Sequence, residues 1–128
     1  MQYEYFYGAQ AEQFSFYRIP KALFTEPNFR ELSTDAKVLY GILLDRMSLS
    51  LKNQWLDAQN KVYIIFTVEE IMDALNCANQ KATRLMVELE KQAGLIERKR
   101  QGLGRPNLIY VKNFAATING KSCEKADS

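Results

Sequence analysis

The chain has 128 residues, 47% hydrophobic and 25% charged, a composition that fits one globular domain with a modest core. It contains no histidine, the commonest general base and a common metal ligand, so we expect a protein that is not an enzyme and uses no metal or cofactor. Cys77 and Cys123 lie far apart without a CxxC spacing, which predicts no disulfide framework and a cytoplasmic location. The sequence shows neither a membrane-spanning apolar run nor a signal-peptide pattern.

Charge is unevenly distributed along the chain, although the formal net charge is only +2. Residues 1–77 carry 7 Lys and Arg against 10 Asp and Glu, whereas residues 78–112 carry 8 against 3. A basic segment beside an acidic one predicts a surface that attracts a polyanion.

An N-terminal arm is predicted over residues 1–30. The aromatic residues Phe14, Phe16 and Tyr17 favour a short strand or an extended segment, and one short helical turn is expected after Pro20. We interpret this arm as a candidate dimerisation element, because exposed arms often pack against a partner subunit.

A long core helix is predicted to begin after Ser33, a typical N-cap residue, with Asp35 in the first turn complementing the helix dipole. Two apolar stripes run along this segment, so the helix is expected to be buried on two sides and to end between Leu49 and Asn53. The stripe residues are Ala36, Val38, Leu39, Tyr40, Ile42, Leu43, Leu44 and Met47.

Two shorter helices follow. Thr67 and Glu70 match a capping box, which predicts a second helix that ends near Asn76. After a four-residue break, apolar residues at helical spacing predict a third helix that starts at Asn79 and stops at Gly94. Two short helices joined by a tight turn form a helix-turn-helix, whose second helix normally reads the major groove.

Strand patterns surround this helical unit. Residues 62–66 predict a strand after a loop over residues 52–60. Residues 95–100 and 108–112 predict a β-hairpin, with a glycine-rich tip over residues 101–107.

The predicted fold class is therefore α+β: a winged helix-turn-helix domain over residues 31–114, with a helical core, a C-terminal β-hairpin wing and the N-terminal arm. Residues 115–128 are predicted to form a polar tail or linker.

The third helix carries five polar residues that its apolar stripe leaves on the outer face. Asn and Gln can pair with adenine, Arg and Lys with guanine, and Thr can contact either a base or a thymine methyl group. An ordinary solvated helix face is the alternative interpretation. The five predicted reading residues are Asn79, Gln80, Lys81, Thr83 and Arg84.

The wing carries cations that are candidate phosphate contacts. In a strand, Arg98 and Arg100 share one face while Lys99 points to the other. Arg105, at a slim glycine-rich tip, could enter a minor groove. Protection of an exposed hairpin edge is the alternative interpretation, but charges of either sign can protect an edge. The hairpin carries four cations and only one acidic residue, Glu97.

Four ordered sequence blocks resemble the N-terminal domain of the RepA-type replication initiators of Gram-positive plasmids. The resemblance covers roughly residues 14 to 114 and is more specific than a helix-turn-helix pattern alone. The blocks are Phe16–Lys21, Leu32–Lys37, Val62–Thr67 and Ile96–Gly104.

The resemblance implies a winged-helix domain that binds repeated double-stranded DNA sequences in the plasmid origin, works as a homodimer and nucleates assembly of the host replication machinery. It also implies a separate C-terminal domain, missing here, that contacts host replication proteins. By position, the DNA-binding elements of the family fall on the helix from Asn79 and on the wing from Arg98 to Asn107. Asn107 thereby joins the predicted DNA-binding residues.

Two other functions fit the same residues. A winged helix can serve mainly in self-association or replisome assembly, with its basic residues providing solubility. A transcriptional repressor would use the same physical contacts on a different operator.

Overall fold

A computed structural model describes residues 2–8 and 13–115 of the chain. Apart from Ala115, the predicted tail lies outside the described residues, as does Cys123. Within the described part, no helix combines the length and hydropathy that a membrane span requires.

The described residues form four α-helices and one antiparallel β-hairpin, in the order expected from the sequence. A 3-10 turn, Pro27–Phe29, lies between the first two helices, and a π-helical turn, Glu88–Gln92, continues the fourth. The helices are α1 (Ala22–Thr25), α2 (Thr34–Lys52), α3 (Val68–Leu75) and α4 (Asn79–Val87), and the strands are β1 (Ile96–Lys99) and β2 (Leu108–Val111).

Helix α2 is the centre of the core, as its two apolar stripes predict. The Ser33 hydroxyl caps it by accepting a hydrogen bond from the Ala36 amide at 3.2 Å. Leu39 and Leu43 are fully buried, and Ile42 on the second stripe is buried as well. Packing on both sides therefore holds this helix in the middle of the domain.

Two contacts join α2 to the chain segments that flank it. A Cβ atom at Gly41 would lie 2.9 Å from the Arg18 carbonyl oxygen, so glycine is needed where the arm crosses the helix. The Tyr40 hydroxyl donates to the Lys112 carbonyl at 2.7 Å, at the end of the hairpin, and burial raises the pKa of Tyr40 to about 12.

The arm itself is extended and forms no regular strand over residues 15–20. The Phe6 and Phe14 rings meet edge to face, with centroids 6.0 Å apart. Most aromatic side chains of the arm are nevertheless exposed to solvent. They are Tyr3, Tyr5, Phe6, Tyr7, Phe14, Phe16, Tyr17 and Phe24.

Helices α3 and α4 form the predicted helix-turn-helix. The Thr67–Glu70 capping box is present, with the Glu70 amide donating to the Thr67 hydroxyl at 3.2 Å and the Thr67 amide donating to the Glu70 carboxylate at 3.0 Å. Asn76 ends α3 in the left-handed conformation (φ 51°), which asparagine tolerates well. The turn contains three residues, Asn76 to Ala78, one fewer than the predicted break, because Asn79 is already part of α4.

The third predicted helix departs from a regular α-helix in its last turn. Instead of continuing as an α-helix to Gly94, it widens into the π-helical turn at Glu88. Glu88 is buried, and its carboxylate accepts hydrogen bonds from the Ser33 amide and, at 3.0 Å, from the Ser33 hydroxyl. Gly94 then reverses the chain with φ +66°, as expected for a helix stop.

The wing is a two-stranded hairpin with Arg98 opposite Ile109.

The predicted strand over residues 62–66 is wrong as a continuous element. Ile64 exchanges two 2.9 Å backbone hydrogen bonds with Ile109, whereas Val62 pairs with Leu56 in the preceding loop. Because neighbouring positions pair with different partners, the segment forms two isolated bridges rather than a ladder.

A helical core of α2, α3 and α4 followed by this hairpin confirms the α+β winged helix-turn-helix fold. The hairpin strands are shorter than predicted, so Arg100 and Lys112 lie just beyond the paired residues.

A polar loop before Ile64 is fastened to the wing by Asp57. One carboxylate oxygen accepts from the Gln59 and Lys61 amides at 2.8 and 2.9 Å, and the other accepts from the Tyr110 hydroxyl at 3.0 Å. The backbone hydrogen bond from Lys61 is the main cause that lowers the pKa of Asp57. These bonds favour the ionised carboxylate in the folded state.

The Asp57 contacts predict a pH-dependent contribution to stability. Because the folded pKa lies below the unfolded one, this contribution is present above the unfolded pKa and is lost as pH falls through the folded pKa. Urea unfolding of wild type and Asp57→Asn should therefore show a stability difference at pH 7 that shrinks towards pH 3. Asp45→Asn, which changes an exposed carboxylate on α2, serves as the control. A difference between wild type and Asp57→Asn that stays constant over this range would contradict the prediction.

Candidate nucleic-acid interface

The outer face of α4 presents all five predicted reading residues. Ala82, Leu85 and Met86 are buried against the core, which turns the intervening side chains outward. Lys81 is half-buried, and the other four are exposed: Asn79, Gln80, Thr83 and Arg84. The amide, hydroxyl and cationic groups of this face match the donors and acceptors of base edges in the major groove.

Lys81 is paired with a carboxylate from another helix. Its ammonium nitrogen lies 2.6 Å from Oδ2 of Asp35, in the first turn of α2. The side chains are 42% and 52% exposed, so water and ions reach the pair and weaken it. Arg84 makes no ion pair within the described residues. The two cations of the reading face are therefore not electrostatically equivalent.

Arg98 is held in place by Glu90, in the π-helical turn that continues α4. Its Nε and Nη2 atoms donate to Oε1 of Glu90 at 3.0 and 2.7 Å, and its backbone amide donates to Oε2 at 3.2 Å. The side chains are only 25% and 17% exposed. The hydrogen bond from the Arg98 side chain is the main cause that lowers the pKa of Glu90. A guanidinium group has five N–H donors, so three of those on Arg98 remain for a ligand.

The other wing cations have no such partner. Lys99, Arg100 and Arg105 are exposed and make no ion pair within the described residues. Glu97, the acidic residue within the hairpin, points to the face opposite Arg98 because the two are adjacent in β1. These three cations are thus free of the carboxylate contacts that hold Lys81 and Arg98.

A cleft of about 270 Å³ brings three of the predicted wing residues together. Arg98, Arg105 and Asn107 line it from the wing, and Thr67 and Val68 line it from the start of α3. Two arginine side chains and an amide side chain on one cleft provide suitable groups for an anion such as a phosphate. Arg100 is not among the residues that line this cleft.

The wing tip is narrow because of its glycines. Gly102 and Gly104 have φ angles of +115° and +76°, which side-chain-bearing residues rarely adopt. The Gln101 side chain closes the turn by donating to the Pro106 carbonyl at 2.7 Å. Arg105 lies within this turn, and its amide donates to the Gly102 carbonyl at 3.3 Å, so its exposed side chain is carried by a slim and defined backbone.

Asp35 and Glu90 are the parts of this surface that the sequence patterns do not reveal. Charge counting registers Glu90 only as one of the few acidic residues in a basic segment, and Asp35 only as a favourable residue in the first turn of a helix. Their pairing with Lys81 and Arg98 depends on how helices and hairpin pack, which no sequence spacing encodes.

Comparison with known proteins identifies the family. Residues 15–125 match the model of a family described as the N-terminus of replication initiator protein A (RepA). The chain belongs to this RepA N-terminal family. A relative described as a 41 kDa protein of Lactobacillus helveticus is 32% identical over 103 residues. The match covers 80% of this chain and 28% of that relative, so this RepA N-terminal domain spans less than a third of its length.

Solved structures share the fold of this RepA N-terminal domain. One described as the N-terminal domain of a DNA binding protein has a TM-score of 0.72 and 36% identity, and the match covers 99% of this chain and 98% of that one. A structure of a Rep-DNA complex has a TM-score of 0.71 and 39% identity, with coverage of 86% and 84%. A structure of an MDR initiator has a TM-score of 0.70 and 39% identity, with coverage of 98% and 99%.

The Glu90 contacts predict a stabilising connection between the end of α4 and the wing in this RepA domain. Glu90→Ala removes three hydrogen bonds from a poorly exposed charged pair and should lower the free energy of unfolding by about 1–3 kcal/mol. Glu97→Ala, on the opposite strand face, should change it by less than about 0.5 kcal/mol. Urea unfolding of both variants measures the contrast, and equal effects would show that the Arg98 contact contributes nothing specific.

Proposed function

We propose that this domain binds repeated double-stranded DNA sequences in a plasmid replication origin, with α4 in the major groove and the wing on phosphates or in the minor groove. The observation that carries the proposal is the pairing of an exposed, base-compatible face on α4 with a cleft that collects Arg98, Arg105 and Asn107. Membership of a replication-initiator family and likeness to a Rep-DNA complex support it. The proposed activity is binding rather than catalysis.

Each element has its own part in this binding. Arg84 and Lys81 would pair with guanine, and the polar groups of Asn79, Gln80 and Thr83 would read the neighbouring bases. Contacts to base edges provide sequence preference, whereas contacts to phosphates set orientation and most of the salt dependence.

The wing would provide the backbone contacts. Arg98 and Arg105 both line the cleft and would bind an anion there, and Asn107 adds a neutral donor. Arg100 lies beyond the end of β1 and would contact a phosphate outside the cleft. Exposed cations without carboxylate partners attract phosphate more strongly than paired ones, so Arg105 and Arg100 are expected to carry most of the wing's affinity.

A titration tests the proposal directly. A duplex selected by this protein from a random library, and a scrambled duplex of the same composition, are each titrated by fluorescence anisotropy at several salt concentrations. The selected duplex should bind at least about a thousandfold more tightly, as is typical of sequence-specific binders at physiological salt. Equal affinity for the two duplexes would overturn the proposal.

Two variants separate base reading from phosphate contact in the same assay. Arg84→Ala should weaken binding to the selected duplex more than to the scrambled one. Arg105→Ala on a phosphate should weaken both, and should reduce the slope of log K against log salt concentration by about 0.9. Lys52→Ala, at the far end of α2, is the matched control for loss of a cation.

We further propose that the domain works as a homodimer through its N-terminal arm, in the cytoplasm. Exposed aromatic rings such as Phe16 (63%) and Tyr17 (58%) favour burial against a second copy. This observation also favours self-association as a second function of the module.

Host replication proteins would be contacted by a further domain of the longer protein, as the length of the Lactobacillus helveticus relative allows.

The arm's role predicts a change in mass. Light scattering of the DNA-free protein should give the mass of a dimer, and a Phe16→Ser, Tyr17→Ser double variant should give that of a monomer with an unchanged circular dichroism spectrum. A Tyr3→Ser, Tyr5→Ser double variant, which changes two exposed rings nearer the N-terminus, tests whether loss of any aromatic surface is enough to give a monomer. A wild-type monomer would refute the dimer proposal while leaving DNA binding open to the titration.

A further inference from the structure

The strongest unassigned feature of the reading surface is the Asp35 carboxylate. It lies 2.6 Å from the Lys81 ammonium group, yet it belongs to α2, outside the helix-turn-helix. An acidic group among residues that face DNA opposes the attraction of the phosphates, so its presence there requires an explanation.

Asp35 is held in place by the packing of α2. Ser33, two residues earlier, donates from its amide and its hydroxyl to the buried carboxylate of Glu88, immediately after α4. The start of α2 is therefore fastened to the end of the reading helix. These bonds disfavour a backbone movement that would take Asp35 away from Lys81.

The carboxylate affects phosphates and bases differently. A phosphate that approaches Lys81 meets a second anion within a few ångströms, well inside the Debye length of about 10 Å at 0.1 M salt. The phosphate must displace Asp35 or accept repulsion from it. The O6 and N7 atoms of guanine carry no net charge and meet no such repulsion.

The ammonium group can satisfy both partners when the second one is a base. It has three N–H donors, and one of them engages Asp35. The remaining two can be donated to guanine while the ion pair stays intact. A base edge thus adds to the existing contact, whereas a phosphate competes with it.

We propose that Asp35 is a specificity-determining residue, which disfavours phosphate contact by Lys81 and thereby directs this lysine to base edges. The inference rests on the proposed function, in which α4 enters the major groove. Asp35 acts through Lys81 and does not itself contact DNA.

The Glu90–Arg98 pair shows what distinguishes this role. Glu90 makes three hydrogen bonds to Arg98 in a pair that is 25% and 17% exposed, so it fixes the arginine. The Asp35 pair rests on one contact and is about half exposed, so DNA can reach Lys81. The first carboxylate positions a cation, and the second competes with DNA for one.

The test compares wild type with Asp35→Asn on the selected and scrambled duplexes described above. Loss of the negative charge should raise affinity for the scrambled duplex about two- to fivefold, the range expected for an exposed ion pair. Affinity for the selected duplex should change by less than about twofold, because Lys81 keeps its base contact. The ratio of the two affinities therefore falls.

Three further variants keep the interpretation unambiguous. Asp45→Asn changes the net charge equally at another exposed position of α2 and should leave the ratio unchanged. Asp35→Glu retains the charge and should preserve the ratio. In a Lys81→Ala background, Asp35→Asn should no longer alter it. Thermal unfolding confirms that each variant is folded at the assay temperature.

The possible failures are distinguishable. If Asp35→Asn raises both affinities by the same factor, Asp35 acts only through net charge, and the inference is wrong although the domain still binds specifically. If the Lys81→Ala background leaves the Asp35→Asn effect unchanged, the effect does not pass through Lys81, and the inference is also wrong. If wild type does not prefer its selected duplex, the proposed function itself fails.

Discussion

The contact between Glu88 and Ser33 holds α4 in register with the core. Glu88 is only 8% exposed, and its two oxygens accept from the Ser33 amide and hydroxyl. Ser33 in turn caps α2, so the carboxylate lies at the positive end of the core helix. A buried charge is tolerated only when it is well hydrogen-bonded, and removing one partner leaves it uncompensated. The position of α4 therefore depends on a polar contact as well as on apolar packing.

The π-helical turn extends this constraint to the wing. Residues two apart on a helix do not face the same way, so Glu88 and Glu90 point to different neighbours. The first binds the start of α2, and the second binds Arg98 in β1. One π-helical turn thus links the core, α4 and the wing. π-helical turns occur frequently at functional sites, and this one fixes the relative placement of the two elements proposed to contact DNA.

Much of this fold is predicted by signals within short stretches of sequence. Contacts between residues far apart in the chain leave no such signal. Ser33 and the Thr67–Glu70 box mark helix starts because each cap is made within three residues. The segment over residues 62–66 has the composition of a strand, but its pairing depends on Leu56 and Ile109, which lie elsewhere in the chain. Helical spacing predicts the exposed side of α4. The two carboxylates that pair with Lys81 and Arg98 become evident only in the folded structure.

The paired carboxylates change how the basic segment should be understood. A count of charges along the sequence treats every cation of this segment as one equal positive charge. Four of these cations are Lys81, Arg84, Arg98 and Arg105. In the fold, Lys81 and Arg98 are neutralised locally, while Arg84 and Arg105 make no ion pair within the described residues. Long-range attraction of a phosphate backbone therefore arises mainly from the unpaired cations, because opposite charges in contact largely cancel at a distance. Electrostatic attraction is thereby concentrated on the unpaired wing cations, Lys99, Arg100 and Arg105, and on Arg84 of α4. The paired cations are left to act at short range, where geometry rather than charge selects the partner.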